Sequence, residues 1–359
     1  MMKILYIGNY KDGTGWGNAG TNNILALDKA GVDVVPRAIT FEQQQQDYPE
    51  RIKELESAST KGCTVCIQHT LPHLYAYDNR HKNIGYLAVE SSNFKDTGWQ
   101  HYVNLMDEVW VPSNFAKRSC IESGVTKPIQ VAPHSLDMSQ YKDNAGNKIQ
   151  ELQSTFNFVF VGEFIERKNL KALIQAFHLE FAFHEPVNLF IKTSRVSLPE
   201  IQRYTKEIKS GLKLRKRYKE EIIVAGRLEQ QDYISVLSQC HSFVMPSRGE
   251  AFCIPALEAM ALGIPVIHTE GTGMDDFCIG GAVSSHLQPC FGTVSTLSNL
   301  DTSRSDWQEI DIRALCFSMR QAYQGWNADT TTRQTVQEAA HKYDHKPIGM
   351  QLKELLNDE

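Results

Sequence analysis

Two carboxylates eight residues apart, Glu250 and Glu258, are the side chains best placed to do chemistry in this chain. They sit in Ser247-Arg248-Gly249-Glu250-Ala251-Phe252-Cys253-Ile254-Pro255-Ala256-Leu257-Glu258-Ala259-Met260-Ala261-Leu262-Gly263-Ile264-Pro265-Val266-Ile267. Upstream, Ser242–Pro246 is short and apolar, as a buried strand requires. Pro255 suits the first position of a helix, Ala256–Leu262 consists of strong helix formers, and Gly263 with Pro265 ends it. Val266–His268 reads as the next buried strand. In open parallel sheets ligands gather beyond the carboxyl ends of the strands, where Glu250 falls. The helix aims free N–H groups and the positive end of its dipole into the same space, which suits an anion such as a diphosphate. Glu250 can accept from neutral hydroxyls, and Glu258, one turn into the helix, from a vicinal diol. Anion plus polyol describes a phosphosugar or a nucleotide sugar. Glu258 alone would read as a solvent-facing residue of a crossover helix; the pair reads as a site.

The elements that must carry this site repeat along the chain. Strand-like runs at Lys3–Ile7, Val32–Ala38, Val65–Gln68, Asn83–Val89, Val109–Val111 and Ile129–Ala132 alternate with helical segments at Thr21–Ala30 and Phe115–Ser123. A glycine-rich loop, Gly8–Gly20, follows the first strand. Tyr141–Thr155, with Asp143, Asn144, Gly146 and Asn147, is polar and irregular and reads as a linker. A second series starts at Phe156–Gly162 and continues through Leu170–Phe177, Val187–Lys192, Glu221–Ala225 and Tyr233–Gln239, ending in a mostly helical tail. The spacing predicts an α/β protein of two doubly wound, Rossmann-like domains, 1–150 and 151–330, with a tail at 331–359.

Composition narrows the class. The 359 residues suffice for two cores, and a net charge of −5 argues against a nucleic-acid partner. No run approaches the roughly 18 apolar residues of a membrane span, and Met1–Tyr10 is too short for a signal-peptide core. A cytoplasmic protein, at most peripheral to the inner membrane face, is expected. Of the eight cysteines only Cys63 and Cys66 have suggestive spacing, and without a second pair they read as buried thiols. Gln43–Gln46 carries no chemistry. The basic run Lys206–Lys219 reads as a solvated helix flanked by Glu207, Glu220 and Glu221.

The Glu250–Val266 phrase resembles the Glu-x7-Glu donor signature of retaining glycosyltransferases of family 4, which have the two-domain GT-B fold. The likeness is carried by Glu250, Phe252, Pro255, Glu258, Ala259, Met260, Ala261, Gly263, Pro265 and Val266, while Ala251 and Cys253 stand where the pattern has glycine. It implies two domains facing across a cleft, the first binding the acceptor and the second the donor, with a C-terminal helix crossing back to the first.

The other motifs follow in the family's order. Gly15-Trp16-Gly17-Asn18-Ala19-Gly20 fits G-x-G-x-x-G, yet it lies eight residues after Ile7 and no acidic residue ends the second strand, Arg37 being nearest, so a dinucleotide reading is weak. The resemblance places Gly15 and Gly17 under the donor diphosphate and Trp16 at the cleft. Glu163-Phe-Ile-Glu-Arg167-Lys168-Asn169 resembles the basic motif in which Arg167 and Lys168 clamp the diphosphate, assisted by Lys192; Glu163 stands where the family often has arginine. Glu90 occupies the place of a histidine that serves the reacting sugar in many members. His69 and His134 end neighbouring first-domain segments as acceptor or cleft candidates.

Phe252 and Cys253 complete the implied donor site, and Glu270-Gly-Thr-Gly273 could add backbone N–H groups. The expected activity is transfer of a sugar, with retention, from a UDP- or GDP-type donor to a hydroxyl of a glycan, a lipid-linked or a small acceptor. No cofactor or metal is expected, and no Asp-x-Asp triplet occurs. Rival readings are a nucleotide-sugar epimerase or hydrolase on the same fold, a catalytically silent sugar-nucleotide-binding protein, and a nicotinamide oxidoreductase.

Overall fold

Two six-stranded parallel sheets carry the chain. The computed structural model describes residues 2–12, 14–39, 48–141, 149–291, 300, 302–326 and 330–357. The linker residues Asp143, Asn144, Gly146 and Asn147 and the Gln43–Gln46 run lie outside these. Two compact units divide the chain: Met1–Met138 with Ser295–Asp306 and Lys342–Glu359, and Ser139–Val294 with Trp307–His341.

The first unit is built from β1 (Lys3–Gly8), α1 (Gly15–Lys29), β2 (Asp33–Ala38), α2 (Glu50–Glu56), β3 (Val65–His69), β4 (Lys82–Tyr86), α3 (Trp99–Val103), β5 (Glu108–Val111), α4 (Asn114–Glu122) and β6 (Ile129–Val131). Its sheet order is β2-β1-β3-β4-β5-β6, so the winding reverses between β1 and β3. Ile4 pairs with Val34 on one side and Val65 on the other. One face is filled by Ile4, Ile24, Leu27, Ile67 and Ile84, together with Ile348 and Leu352 from the chain's final helix.

Helix α1 begins at Gly15, six residues earlier than the sequence suggests. Thr14 explains the difference: its hydroxyl caps the helix by accepting from Gly17 N, which offsets the poor propensity of two first-turn glycines.

The second unit contains β7 (Phe156–Glu163), α5 (Leu170–Glu180), β8 (Val187–Ser194), α6 (Leu198–Gly211), β9 (Ile222–Ala225), α7 (Gln230–Ser238), β10 (Ser242–Met245), α8 (Ile254–Ala261), β11 (Val266–Thr269), β12 (Ala282–Val283) and β13 (Ser285–Pro289). After them come β14 (Asp306–Ile310), α9 (Ile312–Gln324), α10 (Thr330–His341) and α11 (His345–Asn357); α11 belongs to the first unit. The sheet order β12-β11-β10-β7-β8-β9 reverses between β7 and β10. Phe156, Phe158, Phe160, Phe177, Phe190 and Phe243 fill the core beside it.

Helix α6 stops at Gly211, so half of the basic run is loop, and Lys209 is not solvated: it is buried and pairs with Glu221 at 3.0 Å. All eight cysteines are free, seven of them buried.

Candidate functional site

The reversal between β7 and β10 is where an open α/β sheet binds ligands, and the charged motifs lie just beyond these two strands. The turn Glu166–Lys168 follows β7, and Glu250 follows β10. Lys168 Nζ donates to Glu250 Oε1 at 2.6 Å, and Arg167 Nη1 lies 3.3 Å from the same oxygen. Backbone contacts fix the geometry. Arg248 N and the Ser247 hydroxyl both donate to Arg167 O, at 2.7 and 3.2 Å, while Arg167 Nη1 donates to Gly249 O. Two segments 82 residues apart are thereby stitched into one platform.

Glu250 is 3% exposed. Burial pushes its carboxyl up, but the Lys168 and Arg167 cations, with hydrogen bonds from Lys168 and Ser247, outweigh this and hold it below the usual carboxylate range. The result is a buried anion set against two cations, with positive charge in excess.

Helix α8 opens at Ile254 with Pro255 second, one residue before the expected start. Cys253, just ahead of it, has φ +87°, a conformation that favours glycine. Burial raises the Cys253 thiol to about 12, so it is a packed, unreactive group. Phe252 stacks on Phe277 with ring centres 4.7 Å apart. Gly273 N donates to Glu250 O at 2.8 Å, and a Cβ at Gly273 would lie 2.3 Å from Ala251 O. That glycine is therefore required by the close approach of two loops.

Glu258 is buried on α8, where Tyr141 donates to Oε1 at 2.7 Å and Tyr233 to Oε2 at 2.6 Å. Lys192, in the last part of β8, lies within electrostatic reach of it; burial lowers the Lys192 ammonium and Glu258 opposes the shift. Neither tyrosine was legible in the sequence: Tyr141 opens the segment that reads as a polar linker, and Tyr233 reads as an ordinary position of the segment Tyr233–Gln239. Glu163 pairs with Arg195 at 3.1 Å.

The first unit holds a second group at its own reversal between β1 and β3. His69 ends β3, its Nδ1 2.6 Å from the Tyr6 hydroxyl, and its ring stacks on Tyr86 with centres 4.3 Å apart. Trp16, half-buried in the first turn of α1, lies 5.3 Å from the same ring, and His134 5.7 Å from it. Burial lowers both histidines, His134 to about 3, so both are neutral at pH 7. Gly15 faces open space. Gly17 does not: a Cβ there would lie 2.3 Å from the Asp12 carboxylate, which accounts for that glycine by packing. Glu90 is half-buried beyond β4. Among the described residues no group of three or more His, Cys, Asp or Glu is arranged to hold a metal ion, and no helix is long and apolar enough to cross a membrane.

Residues 142–283 match the family model of glycosyl transferases group 1. This segment is similar to group 1 glycosyltransferases. It contains the Arg167–Lys168–Glu250 platform and Glu258. Over 269 residues the chain is 30% identical to the serotype-specific mannosyltransferase WbdA of Escherichia coli, covering 70% of this chain and 30% of that protein. It is 23% identical over 223 residues to the lipopolysaccharide 1,2-N-acetylglucosaminetransferase of Salmonella typhimurium, covering 59% of this chain and 58% of the relative. The chain thus spans about a third to three-fifths of these relatives.

Among solved structures, Anabaena Alr3699/HepE in complex with UDP-glucose aligns with TM-score 0.63 at 16% identity, over 99% of both chains. The trehalose-6-phosphate synthase OtsA aligns with TM-score 0.67 at 9% identity, again over 99% of both. Two six-stranded parallel-sheet α/β domains of this kind are the GT-B fold.

Proposed function

We propose that the protein is a retaining glycosyltransferase of the Glu-x7-Glu type, moving a sugar from a UDP- or GDP-type donor to a hydroxyl of a glycan or glycoconjugate acceptor. The carrying observation is the buried Glu250 carboxylate held against Lys168 and Arg167 at the β7/β10 reversal, inside the segment that matches the group 1 glycosyltransferase model. Excess positive charge at this place suits a diphosphate, whose leaving oxygen gains charge as the glycosidic bond breaks. Arg167 and Lys168 supply that stabilisation, aided by the N–H groups opening α8, and no metal is needed for it. Glu250 orients the sugar through its hydroxyls, and Glu258 holds the ribose diol.

Retention follows a front-face path. The bond from the sugar C1 to the phosphate oxygen breaks, the acceptor oxygen bonds C1 on the same face, and the acceptor proton passes to the departing phosphate. No strong protein base is required. His69 and His134, buried and neutral, suit hydrogen bonding in the acceptor domain better than proton abstraction, and Glu90 is a half-buried carboxylate beyond β4 in the same unit. Similarity to a mannosyltransferase and an N-acetylglucosaminetransferase supports mannose or N-acetylglucosamine as the sugar to test first, on lipopolysaccharide-type acceptors.

The test is nucleoside diphosphate release from UDP- and GDP-sugars with and without a glycan acceptor, followed by NMR of the product's anomeric configuration. Acceptor-dependent release with retention is expected, unchanged by EDTA. Release independent of acceptor would instead identify a hydrolase or epimerase, and inversion would refute the mechanism.

A further inference from the structure

Glu258 is engaged before any ligand arrives. Its two oxygens accept from two different tyrosines, Tyr141 at 2.7 Å and Tyr233 at 2.6 Å, from segments 117 and 25 residues away. Both tyrosines are buried, and both are more than simple packing groups. Gln230 Nε2 donates to the Tyr141 hydroxyl at 3.1 Å, which leaves that hydroxyl's proton to Glu258. Burial, and then Glu258 itself, raise the Tyr233 phenol well above its usual range, so it also remains a donor.

An ionised carboxylate can accept about four hydrogen bonds, two on each oxygen. One tyrosine on each oxygen leaves one acceptor direction on each, which is the pattern a vicinal diol fills with two parallel donors. Tyrosine hydroxyls, unlike a lysine, add no opposing charge.

We propose that Tyr141 and Tyr233 are positioning residues for the donor nucleotide: they lock the Glu258 carboxylate in place from one side and present its remaining acceptor positions to the ribose diol. This rests on the reading of Glu258 as the ribose-binding residue. The same contacts govern its charge. Burial favours the protonated acid, and the groups that oppose it are the Tyr233 hydroxyl from α7, the Tyr141 hydroxyl from the chain entering the second unit, and Lys192 from β8. A protonated Glu258 would turn one acceptor into a donor and mismatch the diol. Removing the hydroxyls therefore makes nucleotide binding depend on pH.

The test uses the full chain and measures binding of UDP and GDP by calorimetry from pH 6 to 9 for wild type, Tyr141→Phe, Tyr233→Phe and the double variant, each read as a ratio to wild type. Phenylalanine keeps the ring, and melting temperatures check the fold. Each single variant is expected to bind about threefold to tenfold more weakly at pH 7, one hydrogen bond to a charged group being lost. The double variant is expected to lose more, and to regain affinity as pH rises. Adding Glu258→Gln should abolish that pH dependence, which a merely structural role would not predict. Folded tyrosine variants with wild-type affinity and pH profile would overturn the clamp while leaving the donor reading intact. No binding of either nucleotide by wild type would overturn both. Should the double variant fail to fold, the two single variants decide on affinity and pH profile alone.

Discussion

Glu250 is stabilised as a carboxylate chiefly because Lys168 and Arg167 are beside it, and the consequence is measurable. Lys168→Ala leaves a buried anion with one cation at 3.3 Å and should lower unfolding free energy by about 2–4 kcal/mol in urea at pH 7. The sign with pH follows from the lowered carboxyl. The pair's contribution is present above the unfolded value near 4.5 and is lost as pH falls through the lower folded value, so wild type and variant should converge in acid. Equal stability at pH 7 would mean that the pair is surface-like. Cys253 gives an independent check. At φ +87° glycine should be the better substitute, so Cys253→Gly is expected to be about 1 kcal/mol more stable than Cys253→Ala, the reverse of the usual order. A less stable glycine variant would contradict the strain. The charged residues were legible as a motif; the strain at Cys253 was visible only as a departure from glycine. Tyr141 and Tyr233 gave no signal, because contact across 117 residues leaves no local pattern.

At the scale of elements, the strand-helix alternation was legible because buried parallel strands are short apolar runs with sharp ends. The start of α1 was not, because a cap of one threonine outweighed three glycines. The last helix shows a similar limit. Gly349 lies on α11, where a Cβ would come 2.0 Å from Ala26 O of α1. Gly349→Ala, normally stabilising inside a helix, should here destabilise by about 1–3 kcal/mol through overpacking, read from the urea midpoint. A stabilised variant would show that the two helices can part freely.

The buried His69–Tyr86–His134 stack sets a pH limit on the same unit. Both histidines have folded values below the unfolded value near 6.5, so their contribution is full above it and falls as pH drops from 6.5 toward about 3 for His134. The expected loss is up to about 1.4 kcal/mol per pH unit for each histidine over that window. His134→Gln should flatten the dependence between pH 6 and 4. An unchanged slope would place the acid sensitivity elsewhere.

At the scale of the molecule, two parallel-sheet units of the GT-B fold were legible from alternation and the order of motifs, whereas no spacing encodes the base, sugar or acceptor of the proposed transfer. The platform at the β7/β10 reversal is the feature on which the functional account turns. Its most direct test is thermal stabilisation of the purified protein by a panel of UDP-, GDP-, ADP- and TDP-sugars and NAD(P), with Lys168→Ala and Glu250→Ala alongside. A ligand bound at 100 times its Kd adds about 2.7 kcal/mol by mass action, enough to shift the melting temperature by several degrees. The account predicts a shift with one class of nucleotide sugar that is lost in Lys168→Ala. Silence across the sugars, or a response to NAD(P) alone, would contradict it.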